Sequence, residues 1–393
     1  MMKKVLVVTS GRSDYGLLYH LMRQIQNSSD LELQIIATGM HLSSEFGMTY
    51  KQIESDGFFI NRKIEMLLSS DSNLGVSKSM GIGIIAFSDA IDQLKPDLIF
   101  ILGDRYEIFG LAATALVQKI PIAHIHGGEV TRGAIDDAFR HSITKMSNFH
   151  FCANEDARHR ILQLGEDAEN IFMVGGLGLD YIRNTTLFTK NEIQKKLLFK
   201  MRDKNILVTY HPETLSKISA EDQINELLKA LKNFSHIGII FTMPNADSGS
   251  KVITNLIDDF VKSNDNAKSF KSLGQTLYLS CIEAFDGVVG NSSSGILEVP
   301  SFKKGTLNIG DRQDGRQFAS SIIECKLCHQ EITKGIQKLF SFKYKTIFEK
   351  TTNPYGEPGA SEKIIKIVKN LNSNKVFPKK FVNYKFIIDQ NKK

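Results

Sequence analysis

A chain of 393 residues is long for a single domain, and at about 150 residues per domain two are expected. With 42% hydrophobic and 23% charged residues it reads as a globular protein able to bury two cores, and 49 basic against 43 acidic residues, net +6, suit an anionic substrate as well as nucleic acid. Four cysteines (Cys152, Cys281, Cys325, Cys328) are too few for a disulfide framework, and the lone CxxC of Cys325 and Cys328 is a weak metal or redox signal.

The amino terminus begins on the strand-like MMKKVLVV with no signal peptide, and no apolar run approaches membrane-spanning length. A cytoplasmic protein without membrane or nucleic-acid partners is therefore expected. The first half alternates short apolar runs with amphipathic stretches, the pattern of βαβ units and a parallel sheet. VLVVT (Val5 to Thr9), LQIIAT (Leu33 to Thr38), LIFILG (Leu98 to Gly103), IPIAHIH (Ile120 to His126), HFCA (His150 to Ala153) and IFMVGG (Ile171 to Gly176) are the predicted strands. GLLYHLMRQIQN and EDARHRILQLG are among the predicted helices between them.

Near Asp180 the rhythm pauses, and the polar RNTTLFTKNE suggests a hinge. Strands then resume with NILVTYHPE, HIGIIFT, FDGVVGNSSSG and GTLNIG. The reading is an α/β protein of two Rossmann-like domains, residues 1–185 and 186–352, facing a central cleft. Residues 353–393 hold a last helix, ASEKIIKIVKNLN, expected to pack back toward the first domain, and a basic tail expected to be solvated or loosely docked.

Strand ends in an open parallel sheet face the ligand crevice, and here they carry ionisable groups. Asp104 and Arg105 follow one strand, and His126 and Glu129 follow the next. Asp136, Asp137, Arg140 and His141 then fall within about two turns of one helix start. A surface of solvated salt bridges is the bland alternative. Arg12, after the first strand, pairs a guanidinium with free helix-start amides as an anion site.

In the second half His211 follows a strand directly. GNSSSGILEVP offers the hydroxyls of Ser292, Ser293 and Ser294 and the amide of Gly295 to a phosphate at the positive end of a helix dipole. Glu298 is placed to accept hydrogen bonds from a ribose, Arg312 to meet the same diphosphate, and Asn245 to add a polar group to that edge. The implied ligand is a nucleotide sugar.

GDRYE, HIHGGE, the DD..RHSITK run, HPET, NADSGS, GNSSSG and GDRQ.GR together resemble the hydrolysing UDP-N-acetylglucosamine 2-epimerases of the bacterial sialic acid type, from about Lys3 to Asn370. The resemblance implies a GT-B fold and conversion of a UDP-N-acetylhexosamine, foremost UDP-GlcNAc, into UDP and the free 2-epimer, ManNAc, for sialic or nonulosonic acid synthesis. It implies elimination of UDP to a 2-acetamidoglucal followed by rehydration. It also assigns UDP contacts to Arg12, Ser292, Ser293 and Arg312, ribose to Glu298, the diphosphate region to His211, and acid/base work to Asp104, Asp136 or Asp137, and Arg140.

One position departs from the pattern. Where the mammalian and the related non-hydrolysing enzymes carry a glutamate, this chain has His126, with Glu129 nearby; a proton-transfer or sugar-positioning role is expected for this histidine. Similar enzymes take UDP-2,4-diacetamido-2,4,6-trideoxyglucose for legionaminic acid, which makes that sugar the alternative substrate. A GT-B UDP-sugar glycosyltransferase and a non-catalytic nucleotide-sugar sensor are the further alternatives. With no GxGxxG after the first strand and no clustered metal spacing, neither NAD nor a metal nor another cofactor is expected, and the resemblance implies a homodimer or homotetramer.

Overall fold

The computed structural model describes residues 2–70, 72–131, 134–245, 247–371 and 377–384. Seven strands, β1 (Lys3–Thr9), β2 (Leu31–Thr38), β3 (Arg62–Ile64), β4 (Leu98–Leu102), β5 (Ile122–Ile125), β6 (Phe149–Cys152) and β7 (Ile171–Met173), form one sheet. Its order is β3-β2-β1-β4-β5-β6-β7, and every pairing is parallel. Six more, β8 (Asn205–Thr209), β9 (Gly238–Thr242), β10 (Ala267–Phe270), β11 (Gly287–Gly290), β12 (Gly305–Ile309) and β13 (Ile322–Cys325), form a second parallel sheet in the order β10-β9-β8-β11-β12-β13. The winding reverses between β1 and β4 in one sheet and between β8 and β11 in the other. Those are the switch points at whose carboxyl ends ligands bind in such folds.

Both faces of each central strand are buried, which is why their sequences are continuous apolar runs rather than alternating ones. Val5, Val7, Phe100 and Leu102 pack on one side with helices Arg12–Gln26 and Ala360–Asn370, while Leu6, Val8, Ile99 and Ile101 pack on the other with Asn73–Leu94 and Tyr106–Val117. In the second sheet Ile206, Val208 and Phe241 face one core and Leu207, Ile240 and Val288 the other. The strands absent from the sequence reading are β3, β10 and β13, all at or near sheet edges. They are short, half-solvated and carry no apolar run.

The last helix returns to the first sheet: Ile364, Ile365 and Val368 join its core, and the carboxylate of Asp180 accepts the first amides of that helix, from Ala360 at 2.9 Å and Ser361 at 2.6 Å. The segment read as a hinge thus begins beside a capping carboxylate. The described part of the tail is docked rather than solvated. Lys379 donates to the carbonyl of Lys145 at 2.6 Å and pairs with Glu166 at 2.6 Å, and the Tyr384 hydroxyl donates to the Glu166 carbonyl at 3.0 Å. The rest of the tail reading, 372–376 and 385–393, lies outside the described residues.

The expectation that no segment is long and apolar enough for a membrane needs correction. Helix Asn73–Leu94 passes that test, with a mean hydropathy of 1.3 over its best window. Small residues mask it in the sequence, because three glycines, three serines and two alanines interrupt the run of large apolar side chains. One side of this helix packs on the first sheet through Phe87, Ala90, Ile91 and Leu94, while the Ser79 hydroxyl accepts the Leu68 amide at 3.0 Å.

Candidate active site

The carboxyl edge of the first sheet is assembled by local backbone requirements. His124, inside β5, is fully buried and bonded by Nε2 to the Gly103 carbonyl at 2.7 Å and by Nδ1 to the Thr144 hydroxyl at 3.1 Å. Burial pushes it down to about 3, so it is a neutral brace that fixes the loop carrying Asp104. The chain then doubles back through His126, at φ 61°, and Gly128, at φ 75°. A Cβ on Gly128 would stand 2.3 Å from the Ala157 carbonyl, so only glycine fits there.

That turn brings Glu129 back against His126, with Nδ1 and Oε1 2.6 Å apart, while the Leu177 amide donates to His126 Nε2 at 3.3 Å. The proton must therefore sit on Nδ1, and both ring nitrogens are engaged. Glu129 is also held by Arg316 at 2.8 Å, a buried pair joining the two halves. Burial opposes ionisation of Glu129, but the Arg316 guanidinium and His126 outweigh it and hold its carboxyl below the usual range.

Arg140 reaches back to pair with Asp104 and donates to the Thr131 hydroxyl at 2.9 Å. Asp136 and Asp137 separate in role. Asp136 lines the cavity with Asp104 and Arg140, and burial, reinforced by Asp247, raises its carboxyl to about 6. Asp137 instead accepts the Thr131 amide at 2.6 Å and lies 3.6 Å from His141, bracing the loop. A second ion pair crosses the cleft, Arg105 to Asp247 at 3.1 Å, with Arg105 also 3.2 Å from Glu107.

The opposite edge is built around Gly290 and Asn291. Gly290 sits at φ 136° where a Cβ would lie 1.9 Å from the Thr209 carbonyl, so β11 can approach β8 only without a side chain. Asn291, fully buried, accepts the His211 amide at 2.7 Å and donates to the His211 carbonyl at 2.8 Å, and its own carbonyl accepts from Arg312 at 3.3 Å and Gln313 at 2.8 Å. His211 and Arg312 are thereby fixed together. The Asn245 amide donates to His211 Nδ1 at 3.4 Å, which leaves the Nε2 proton for a ligand. Burial, then Arg312, pushes His211 down to about 3, so it donates as a neutral ring.

The helix expected after the three serines is a single turn, Ser294–Leu297, because Pro300 stops it. So short a helix has little dipole, and the binding rests on hydroxyls, amides and guanidinium groups. Ser292 and Ser293 line the cavity; Ser294 also lines it but gives its hydroxyl to the Glu298 carboxylate. Burial raises Glu298 to about 6. Gly295 does not reach the cavity. Its amide bonds the Ser292 carbonyl at 3.1 Å, and a Cβ there would strike Thr306 at 2.7 Å, so it is a packing residue beneath the loop.

Two cavities meet across this cleft. One holds Arg12, His211, Ser292 and Glu298; the other holds Asp104, His126, Glu129, Asp136 and Arg140; Asn245, Ser293 and Arg312 line both. Arg12 and Arg312 reach backbone carbonyls, of Met243 and Asn291, each at 3.3 Å, and neither has a carboxylate in ion-pair range among the described residues. The Arg312 charge also reaches Asp136 and Asp247, but with no carboxylate in direct contact the two guanidinium groups make a cradle for a dianion.

Sequence reasoning missed Arg316, Asp247 and Asn291. Each stands inside a motif it had quoted, GDRQDGR, NADSGSK and GNSSSG, but the partners lie in the other half or across a sheet. Cys325 and Cys328 are free thiols, and among the described residues no three His, Cys, Asp or Glu side chains group as metal ligands.

The sequence profile of the family described as UDP-N-acetylglucosamine 2-epimerase matches residues 23–369. The chain is 42% identical to the GDP/UDP-N,N'-diacetylbacillosamine 2-epimerase (hydrolyzing) of Campylobacter jejuni, over 97% of this chain and 99% of that one. It is 36% identical to the polysialic acid biosynthesis protein P7 of Escherichia coli, over 95% of each. It is 32% identical to the UDP-N,N'-diacetylbacillosamine 2-epimerase (hydrolyzing) of Legionella pneumophila, over 94% and 97%. The fold is similar to the solved UDP-GlcNAc 2-epimerase of Neisseria meningitidis bound to UDP-GlcNAc, with a TM-score of 0.77 at 19% identity over 93% of this chain and 99% of that one.

Proposed function

The chain belongs to the UDP-N-acetylglucosamine 2-epimerase family, and from that premise we propose that it hydrolyses a UDP-linked 2-acetamido sugar, releasing UDP and the free 2-epimer. The observation that carries this reading is the junction of a two-arginine cradle, free of direct carboxylate contacts, with a carboxylate cluster, the one for a diphosphate and the other for chemistry at C2.

Of the two sugars, the 2,4-diacetamido-2,4,6-trideoxyhexose is placed ahead of N-acetylglucosamine, which reverses the order expected from the sequence. The Campylobacter and Legionella relatives, named as diacetylbacillosamine 2-epimerases, support this order. So does the apolar lining that Leu17, Leu102, Ile108 and Leu297 give the sugar cavity, which suits a C6 methyl better than a hydroxymethyl.

In the mechanism we assign, Arg12, Arg312, Ser292, Ser293 and the Nε2–H of His211 hold the diphosphate, and Glu298 accepts the ribose hydroxyls. Asp136, whose raised pKa makes it a stronger base than an ordinary aspartate, takes the C2 proton. The C1–O bond breaks with its electron pair leaving on UDP, and C1=C2 forms. The cradle stabilises the charge that develops on that oxygen.

Water then adds at C1, leaving its hydroxyl there and giving its proton to the Asp104 carboxylate, which relays a proton to the other face of C2; the proton on Asp136 returns to solvent. His126, with both nitrogens engaged, positions Glu129 rather than exchanging protons.

The test is NMR product analysis in deuterated water with both UDP-sugars. Free 2-epimer carrying deuterium at C2, formed at least tenfold more efficiently from the diacetamido sugar, is expected. Absence of deuterium at C2 would refute the elimination, and equal or inverted preference would refute the choice of sugar.

A further inference from the structure

The last turn of helix Asp136–Met146 is closed by a residue of the tail. A helix leaves its final carbonyls without partners inside the helix, and a cation suits that negative end. The Lys379 ammonium donates there to the carbonyls of Lys145 at 2.6 Å and of Ser147, with the Thr144 carbonyl at 3.5 Å. Its charge is met by the Glu166 carboxylate at 2.6 Å. Glu166, only 2% exposed, also holds Lys145 at 2.8 Å and Nε2 of the buried His150 at 3.0 Å. Helix, strand, loop and tail thus converge on one carboxylate.

The residues after Lys379 seat it. The Val382 amide donates to the Gly165 carbonyl at 2.9 Å, and the Tyr384 hydroxyl donates to the Glu166 carbonyl and accepts the Ala168 amide, both at 3.0 Å. The Phe381 ring lies 4.4 Å from the Lys145 ammonium and covers Gly165, where a Cβ would stand 2.5 Å from the ring. With φ at 75° as well, Gly165 is a position that the tail keeps as glycine.

The other end of this helix begins with Asp136 and Asp137 and carries Arg140 one turn on. Eleven residues make a rod of roughly 16 Å, so fixing one end constrains the other. A second route leads to Asp104. Thr144, whose carbonyl faces Lys379, turns its hydroxyl to Nδ1 of His124 at 3.1 Å, and Nε2 of the same ring holds the Gly103 carbonyl at 2.7 Å. Lys379 lines neither cavity, yet it stands behind both carboxylates assigned to proton transfer.

We infer that Lys379 is a positioning residue for the reaction: by capping helix Asp136–Met146 it holds Asp136 and the Asp104 loop in register with the sugar. The inference rests on the reaction proposed above. Misplacing a reacting group by about 1 Å costs on the order of 100-fold in rate, so loosening the far end of the rod by a fraction of that should cost about tenfold.

The test uses the full chain with Lys379→Met, which keeps the stem and removes the ammonium, Lys379→Arg, which keeps a cation, and Phe381→Ala, which loosens the seat at an exposed ring. Each is assayed at a temperature at which circular dichroism shows it fully folded. Lys379→Met should lower kcat by about tenfold with KM and UDP affinity within about twofold, Phe381→Ala should lower kcat in the same sense, and Lys379→Arg should recover most of it. In Lys379→Met the midpoint of the kcat/KM pH profile should also move from about 6 toward the ordinary aspartate value of about 4, as Asp136 loses burial. Full kcat in Lys379→Met, an equal loss of UDP affinity, an unmoved midpoint or no recovery with arginine would overturn the inference. Turnover retained by Asp136→Asn would instead overturn the choice of base on which it rests, so the two failures are distinguishable.

Discussion

The two edges that meet in the cleft share one winding but solve opposite electrostatic problems. At the ends of β4 and β5 the buried charges are matched, Asp104 with Arg140 and Glu129 with Arg316. At the ends of β1 and β12, Arg12 and Arg312 rest on backbone carbonyls. A matched pair cancels most of its own field and stays put, whereas an unmatched cation leaves its field to a ligand. In the proposed reaction catalytic geometry rests on the first half and ligand affinity on the cradle, so the two should be separable by substitution.

The sharpest break in that comparison is at the acids. Asp136→Asn and Asp104→Asn should each lower kcat by roughly 10³-fold, the range of lost acid/base catalysis, while UDP affinity by calorimetry stays within about twofold. Asp136→Asn should abolish deuterium exchange at C2, and Asp104→Asn should accumulate the glycal. A parallel loss of UDP binding would merge the two regions into one.

Next in size is the pair that ties them. Arg316→Met leaves Glu129 buried without its cation and should cost about 3–5 kcal/mol of stability in urea unfolding, with much of it recovered in the Arg316→Met, Glu129→Gln double variant. If the double variant were no more stable than the single, the pair would not be the cause.

On the other edge, Arg312→Met should weaken UDP binding by about 2–3 kcal/mol, close to a hundredfold, with unchanged stability. Retained affinity would remove Arg312 from the cradle.

The pH profile sharpens the contrast further. Asp136 must be ionised to act, so kcat/KM, which follows the free enzyme, should climb between pH 5 and 7 with a midpoint of about 6, and the climb should vanish in Asp136→Asn. Stability should run the other way. Folding raises the pKa of Asp136 and of Glu298, so the stabilisation they give is complete below an ordinary carboxylate pKa of about 4 and is lost as pH rises through about 6. The urea midpoint of the unliganded protein should fall across that window by less in Asp136→Asn than in wild type.

The smallest effect is expected at Ser294→Ala, which removes the hydroxyl bonded to Glu298. KM should rise about fivefold, near 1 kcal/mol, with kcat unchanged.

Much of this molecule is legible one residue at a time. Strands buried on both faces announce themselves as apolar runs, and the polar residues at their ends fall where the chemistry is placed. What failed to show was what depends on neighbours distant in sequence. Adjacent Asp136 and Asp137 are indistinguishable as text, and only the fold turns one into the cavity and the other onto Thr131. Gly295 and Ser294 sit in the same loop as Ser292 and Ser293, but packing on Thr306 and bonding to Glu298 commit them elsewhere. Edge strands β3, β10 and β13 lack the two-sided burial that writes a pattern into a strand.

By itself, then, the amino-acid sequence determined the two parallel sheets, the residues at their carboxyl ends and the family to which they are similar, because periodicity and short motifs are local properties of a chain. Tertiary structure alone decided which charges are matched and which remain open to a ligand. Pairs such as Glu129 with Arg316 and Arg105 with Asp247 join positions more than a hundred residues apart, and whether a buried charge is neutralised depends on those distances in space and on nothing nearby in sequence.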